Sequence, residues 1–61
     1  EKNVRRILQD NIKGEEEAII DYTRAARETS NESLAQLYLR IAEDEKRHAE
    51  IFKELLQGIK P

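Results

Sequence analysis

Apolar residues in the first half of this chain fall in alternating steps of four and three. Val4, Leu8, Asn11, Glu15, Ala18, Tyr22, Ala25 and Thr29 share one face on that spacing, which predicts a long amphipathic helix. Ile7, Ile12, Ile19, Ile20 and Ala26 widen the apolar surface beyond a two-helix seam, as a helix with two or three neighbours requires. The second half repeats the pattern with Leu34, Tyr38, Ile41, Phe52, Leu55 and Ile59. Between the halves, Thr29-Ser30-Asn31-Glu32-Ser33 breaks the periodicity. Ser30 and Asn31 are favourable N-cap residues, and Glu32 places negative charge in the first turn of the next helix. The expected elements are a helix over about 3–29, a turn at 30–31 and a helix over about 32–57, with Gly58 and Pro61 as stop signals. Gly14 interrupts the first helix at a cost of roughly 1 kcal/mol relative to alanine. Close packing or local give beside Glu15 would explain it, and so would simple tolerance.

Two carboxylates and one imidazole lie in these apolar stripes. Glu45-x-x-His48 puts a carboxylate and an imidazole on one face of the second helix, among Ile41, Phe52 and Leu55. Glu15 holds the corresponding place on the first. Burying such groups bare is costly, so they must pair or bind something, and a metal ion satisfies all of them.

A short turn makes the two helices antiparallel neighbours, so residues equidistant from it share a level. Glu15 lies fifteen residues before Ser30 and Glu45 fifteen after it, while Tyr22 and Tyr38 mirror each other eight residues away. Ile12 falls level with His48, and Leu8 with Phe52. Both carboxylates therefore occupy one layer, roughly 22 Å from the turn. Two such hairpins about a two-fold axis would converge four Glu and two His, the ligand set of carboxylate-bridged di-iron and di-manganese four-helix bundles. The expected fold is all-α: an antiparallel two-helix hairpin that dimerises into a four-helix bundle, either alone or within a larger ring. Carboxylates are hard donors able to bridge two ions, and neutral imidazole suits Fe, Mn or Zn.

Composition narrows the choices. The chain has 61 residues and no cysteine, so it forms one small unit with neither disulfides nor a thiolate zinc site. So short a chain buries too little surface alone; self-association supplies the remaining core, with metal as a supplement. Charged residues make up 39%, yet the net charge is −2, as on solvated helix faces. No basic patch favours nucleic acid. No apolar run spans a bilayer and no signal-peptide pattern opens the chain, so an intracellular, cytoplasmic protein is expected. The chain begins at Glu1 without methionine and ends at Pro61, which reads as a fragment or ordered core of something longer.

From Gly14 to about Leu55 these residues resemble the ferritin-like superfamily, especially rubrerythrins and encapsulated ferritins. The resemblance is carried by Glu15-x6-Tyr22, by Ala42-Glu43-Asp44-Glu45-Lys46-Arg47-His48-Ala49-Glu50, and by the thirty-residue offset from Glu15 to Glu45. It implies that Glu15 is a metal ligand, Glu45 the bridging ligand and His48 the terminal nitrogen ligand. Tyr22 would donate a hydrogen bond to a ligand carboxylate, and Glu17 would belong to a secondary metal-entry site. It further implies a ferritin-like half-bundle over residues 1–61, two Fe ions per homodimer (Mn or Zn as substitutes), Fe(II) oxidation with O2 or peroxide, and an encapsulin shell as partner and compartment. Two departures stand out. Rubrerythrins carry a further glutamate where this chain has Ala18, and they carry four helices and a cysteine-rich iron–sulfur domain in one chain.

Other readings compete. Tyr22 and Tyr38 could both be core aromatics with hydroxyls reaching outward; Tyr38 is read so, while for Tyr22 the resemblance tips the balance to the ligand-bonding role. Asp44 could orient an imidazole N–H or be a solvated surface acid. Glu16, Glu43 and Glu50 read as exposed charges, with Lys46 and Arg47 pairing to Glu43, Asp44 and Glu50. The alternative functions are a metal-free structural dimerisation module, in which the seam Glu and His pair with each other, and a redox-silent bundle holding Zn or Mn.

Overall fold

A computed structural model describes residues 2–59; the stop signal expected at Pro61 lies outside them. Two α-helices, α1 (Lys2–Glu28) and α2 (Glu32–Gly58), pack against each other as an antiparallel hairpin. The hairpin measures 46 × 13 × 10 Å between Cα extremes. Among the described residues no helix is long and apolar enough to cross a membrane.

The turn is held by local hydrogen bonds. Asn31 has extended backbone (φ −91°, ψ 110°), and its Oδ1 accepts from the Leu34 N–H at 2.9 Å. Its carbonyl accepts from Ala35 N–H at 2.9 Å, while Thr29 N–H closes α1 on Ala25 O at 3.1 Å. Of the two N-cap candidates, Asn31 is the one used. Asn31→Ala should cost about 1 kcal/mol of hairpin stability, readable as a lower urea midpoint, whereas Ser30→Ala should cost far less.

The seam of α2 differs from the expected stripe. The expectation ran Leu34, Tyr38, Ile41, Glu45, His48, Phe52, Leu55, Ile59. Tyr38, Glu45, Phe52 and Ile59 do turn towards α1, but they are interleaved with Ala35, Ala42, Ala49 and Leu56. Ala42 and Ala49 are the most buried residues of the helix, each 3% exposed. Leu34, Ile41 and Leu55 stay exposed at 37%, 38% and 54%. Two heptad phases overlap on this helix, and they share every second position. Methyl-sized side chains let the helix axes approach, so the alanine phase takes the hairpin contact. The bulkier phase lies to one side of it.

On α1, Leu8 is the one buried residue among those described (8% exposed). Ile12, Glu15, Ile19, Tyr22 and Ala26 are half-buried, while Val4, Ile7 and Ile20 are exposed. Tyr22 and Tyr38 meet across the seam with ring centroids 6.1 Å apart and planes tilted by 32°, as their mirrored places demand. Arg5 Nη1 donates to Ile59 O at 3.4 Å and ties the open ends together. A Cβ on Gly14 would meet nothing within 4 Å, so close packing inside the hairpin does not explain that glycine.

Candidate metal centre

Halfway along the hairpin the seam turns polar. Glu15 on α1, and Glu45 and His48 one turn apart on α2, each offer a donor atom, and these three atoms lie within 4.8 Å of one another. His48 Nδ1 is 3.0 Å from Glu15 Oε2 and 3.6 Å from Glu45 Oε1. The carboxylates are inside, with side chains 17% and 21% exposed, whereas the imidazole is 55% exposed. His48 was expected in the core. It sits at the rim instead, because the alanine phase pulled α2 round so that Ala42 and Ala49 face α1.

Proton occupancy follows from this crowding. Glu45 is raised above the ordinary value near 4.5. The main cause is the facing Glu15 carboxylate, which a protonated Glu45 can meet with a hydrogen bond. Desolvation and the Glu15 charge add to it, His48 opposes it, and Asp44 contributes a further small rise. Folding therefore increases the affinity of Glu45 for a proton. That contribution to stability is complete below the ordinary carboxylate value and is lost as pH rises through the raised one. The metal-free hairpin should thus be more stable on the acid side of that window. Glu45→Gln should flatten the dependence in denaturant melts from about pH 4 to pH 7.

Two carboxylates facing each other, with an imidazole nitrogen closing the triangle, mark a place where positive charge is favoured. Divalent metal can take that place. Two oxygen donors and one nitrogen donor suit Fe, Mn or Zn, so the residues present fit the ion that the sequence implies. A groove of about 320 Å³ lined by Asp10, Asn11, Gly14, Glu15 and Phe52 opens beside Glu15.

The remaining expected residues lie outside the triangle. The Tyr22 ring packs on Tyr38, and among the described residues no hydrogen bond joins its hydroxyl to Glu15 or Glu45. Glu17 is exposed and contributes no donor to the cluster. Asp44 pairs with Arg47, and Lys46 with Glu43 at 3.3 Å, all on the exposed surface of α2. Glu16 lies on the exposed charged face as expected and pairs there with Lys53 of α2 at 3.2 Å. The residues missed by the sequence reading are Ala35, Ala42 and Ala49. Their seven-residue spacing was the available signal.

No curated protein and no solved structure gives a significant match to the chain. The family model described as Rubrerythrin matches residues 6–61, a span that contains both carboxylates, the histidine and the tyrosine pair. This chain belongs to the rubrerythrin family.

Proposed function

We propose that the chain is a di-iron carboxylate protein that binds two metal ions between two copies of itself and oxidises Fe(II) with O2 or peroxide. The observation that carries this reading is the convergence of Glu15, Glu45 and His48 at one level of the hairpin, within a family match that covers all three. Three protein donors are few for an iron ion that is to be held firmly, and a second hairpin doubles them. Iron, when bound, supplies redox change and Lewis acidity towards the oxidant.

The chain's own groups supply the rest. Glu15 and Glu45 provide negative charge and oxygen donors from opposite helices, so binding clamps α1 to α2. Metal competes with a proton for Glu45, whose proton affinity is raised, so metal affinity should rise as pH rises through the Glu45 range. His48 reaches in from the rim, its Nδ1 turned towards Glu15 and Glu45. Ala18 stands where rubrerythrins carry an extra glutamate, which leaves a site with one donor side chain fewer and less negative charge. Tyr22, seven residues from Glu15, packs its ring on Tyr38 two turns along the seam from the site.

Anaerobic titration with ferrous salt, followed by admission of air or peroxide, tests the reading. Stoichiometric Fe(II) uptake and a ferric absorption band after oxidant are expected. Absence of Fe(II) uptake rejects the proposal, and uptake with no change on oxidant leaves a redox-silent site. An encapsulin-type shell rests on the resemblance alone and is tested by co-purification.

A further inference from the structure

We infer that the edge of the hairpin opposite His48 carries a second binding site, for an acidic peptide segment of a partner protein. Arg24 and Arg27 of α1 receive its carboxylates, while Ile20 and Leu39 receive an aliphatic side chain from it. The site shares no residue with the metal triangle and does not depend on it.

The pairs that cross between the helices mark the two edges. His48–Glu15 lies on one and Lys53–Glu16 on the other. Ile20, Thr23 and Arg27 follow Glu16 in steps of four, three and four, and Leu39 precedes Lys53 by fourteen residues. Helical periodicity therefore puts all of them on the Lys53 edge. Ile20 lies ten residues before Ser30 and Leu39 nine after it, so they share one level of the hairpin. Both are exposed, at 55% and 42%. Beside Ile20 opens a hollow of about 330 Å³, lined by Ile19, Ile20, Thr23, Arg24 and Arg27.

Charge selects the occupant. The lining holds two guanidiniums and a hydroxyl but no acid. Asp21 and Glu28 lie three and four residues from Arg24, within ordinary pairing reach on a helix. Yet among the described residues neither Arg24 nor Arg27 enters an ion pair or donates a side-chain hydrogen bond. On α2 the same spacing does give pairs, Arg47 with Asp44 and Lys46 with Glu43. Arg27 stands in the last turn of α1, where it also complements the helix dipole. Arg24 is a turn earlier, beyond that effect. The hollow beside Leu39 on α2 is different: Arg40 and Arg47 are balanced there by Glu43 and Asp44, so it favours neither sign. Guanidinium forks take carboxylates in a bidentate grip, and exposed aliphatic groups beside them reward an apolar neighbour. A plain polyanion would satisfy the arginines and leave Ile20 and Leu39 bare.

Fluorescence anisotropy of the 61-residue chain with a labelled peptide, in which acidic residues flank a single leucine, tests the site. Saturable binding that weakens as salt rises is expected, equal with chelator and with Mn(II). Arg24→Gln together with Arg27→Gln should raise the dissociation constant about 10-fold. Arg24→Lys, which keeps the charge but not the fork, should fall between that variant and the parent. Arg6→Gln, on the same face of α1 but about 27 Å away, should change nothing, and circular dichroism checks that each variant keeps its helices. Three results overturn the inference: no saturable binding at about 1 mM peptide, parental binding by the double glutamine variant, or equal binding of a peptide with serine in place of leucine. Tighter binding to phosphatidylglycerol vesicles than to the peptide overturns it in favour of a lipid surface. Self-association abolished by Arg24→Gln overturns it in favour of a second copy. Failure of Fe(II) uptake would reject the function proposed above and leave peptide binding as it is.

Discussion

Glu45→Ala is expected to weaken Fe(II) or Mn(II) binding by at least about 100-fold, since loss of a mere supporting partner of a ligand already costs 10–100-fold. His48→Ala should act in the same direction. The two differ in what they do to the empty protein. Removing Glu45 relieves the crowding of two carboxylates and puts a good helix former in place, so the metal-free hairpin should keep its helicity or gain stability. His48 is exposed at the rim, so its loss should leave the empty hairpin almost unchanged. Glu17→Ala, which removes an exposed acid away from the triangle, should leave primary binding as it was. Competition titrations against a metallochromic chelator measure all three, and circular dichroism reports the fold. Parental affinity in both Glu45→Ala and His48→Ala would remove these residues from any ligand set.

Removal of metal is expected to produce the second large effect. Binding to the folded state alone stabilises it by about 4 kcal/mol when free metal is a thousandfold above the dissociation constant. For a domain of this size each kcal/mol moves the melting temperature by about 4–8 °C. Chelation should therefore lower the melting temperature by on the order of 20 °C, and re-addition of Mn(II) should restore it. A structural dimerisation module would melt at the same temperature with and without chelator. The sensitivity is large because the intrinsic core is small: with so few buried apolar side chains, a clamp between α1 and α2 is a major part of the total.

The two halves of the site were legible in the sequence to different degrees. Glu15 and Glu45 could be placed at one level because the turn at Ser30 and Asn31 is short and the helical rise is constant. The same reasoning set Tyr22 against Tyr38, and the rings meet at 6.1 Å. His48 was assigned to the same layer correctly and to the core incorrectly. Its position three residues from Glu45 guarantees proximity along the helix but leaves the direction of the ring relative to α1 open by about a third of a turn. Asp44 shows the same limit, since its spacing allowed both an imidazole partner and the Arg47 pair that forms. Gly14 was legible as a cost to the helix, while the open space around it could be seen only once the neighbouring helix was in place.

By itself the sequence determined two helices, their antiparallel pairing and the level at which the acids and the histidine gather. Those properties follow from periodicity, capping and rise, which act locally. Tertiary structure alone decided which of two overlapping heptad phases on α2 faces α1. Ala35, Ala42 and Ala49 won that contact because small side chains permit the closer approach of the helix axes. That choice turned Leu34, Ile41, His48 and Leu55 outward together, and left the histidine and the aliphatic row on one shared open face.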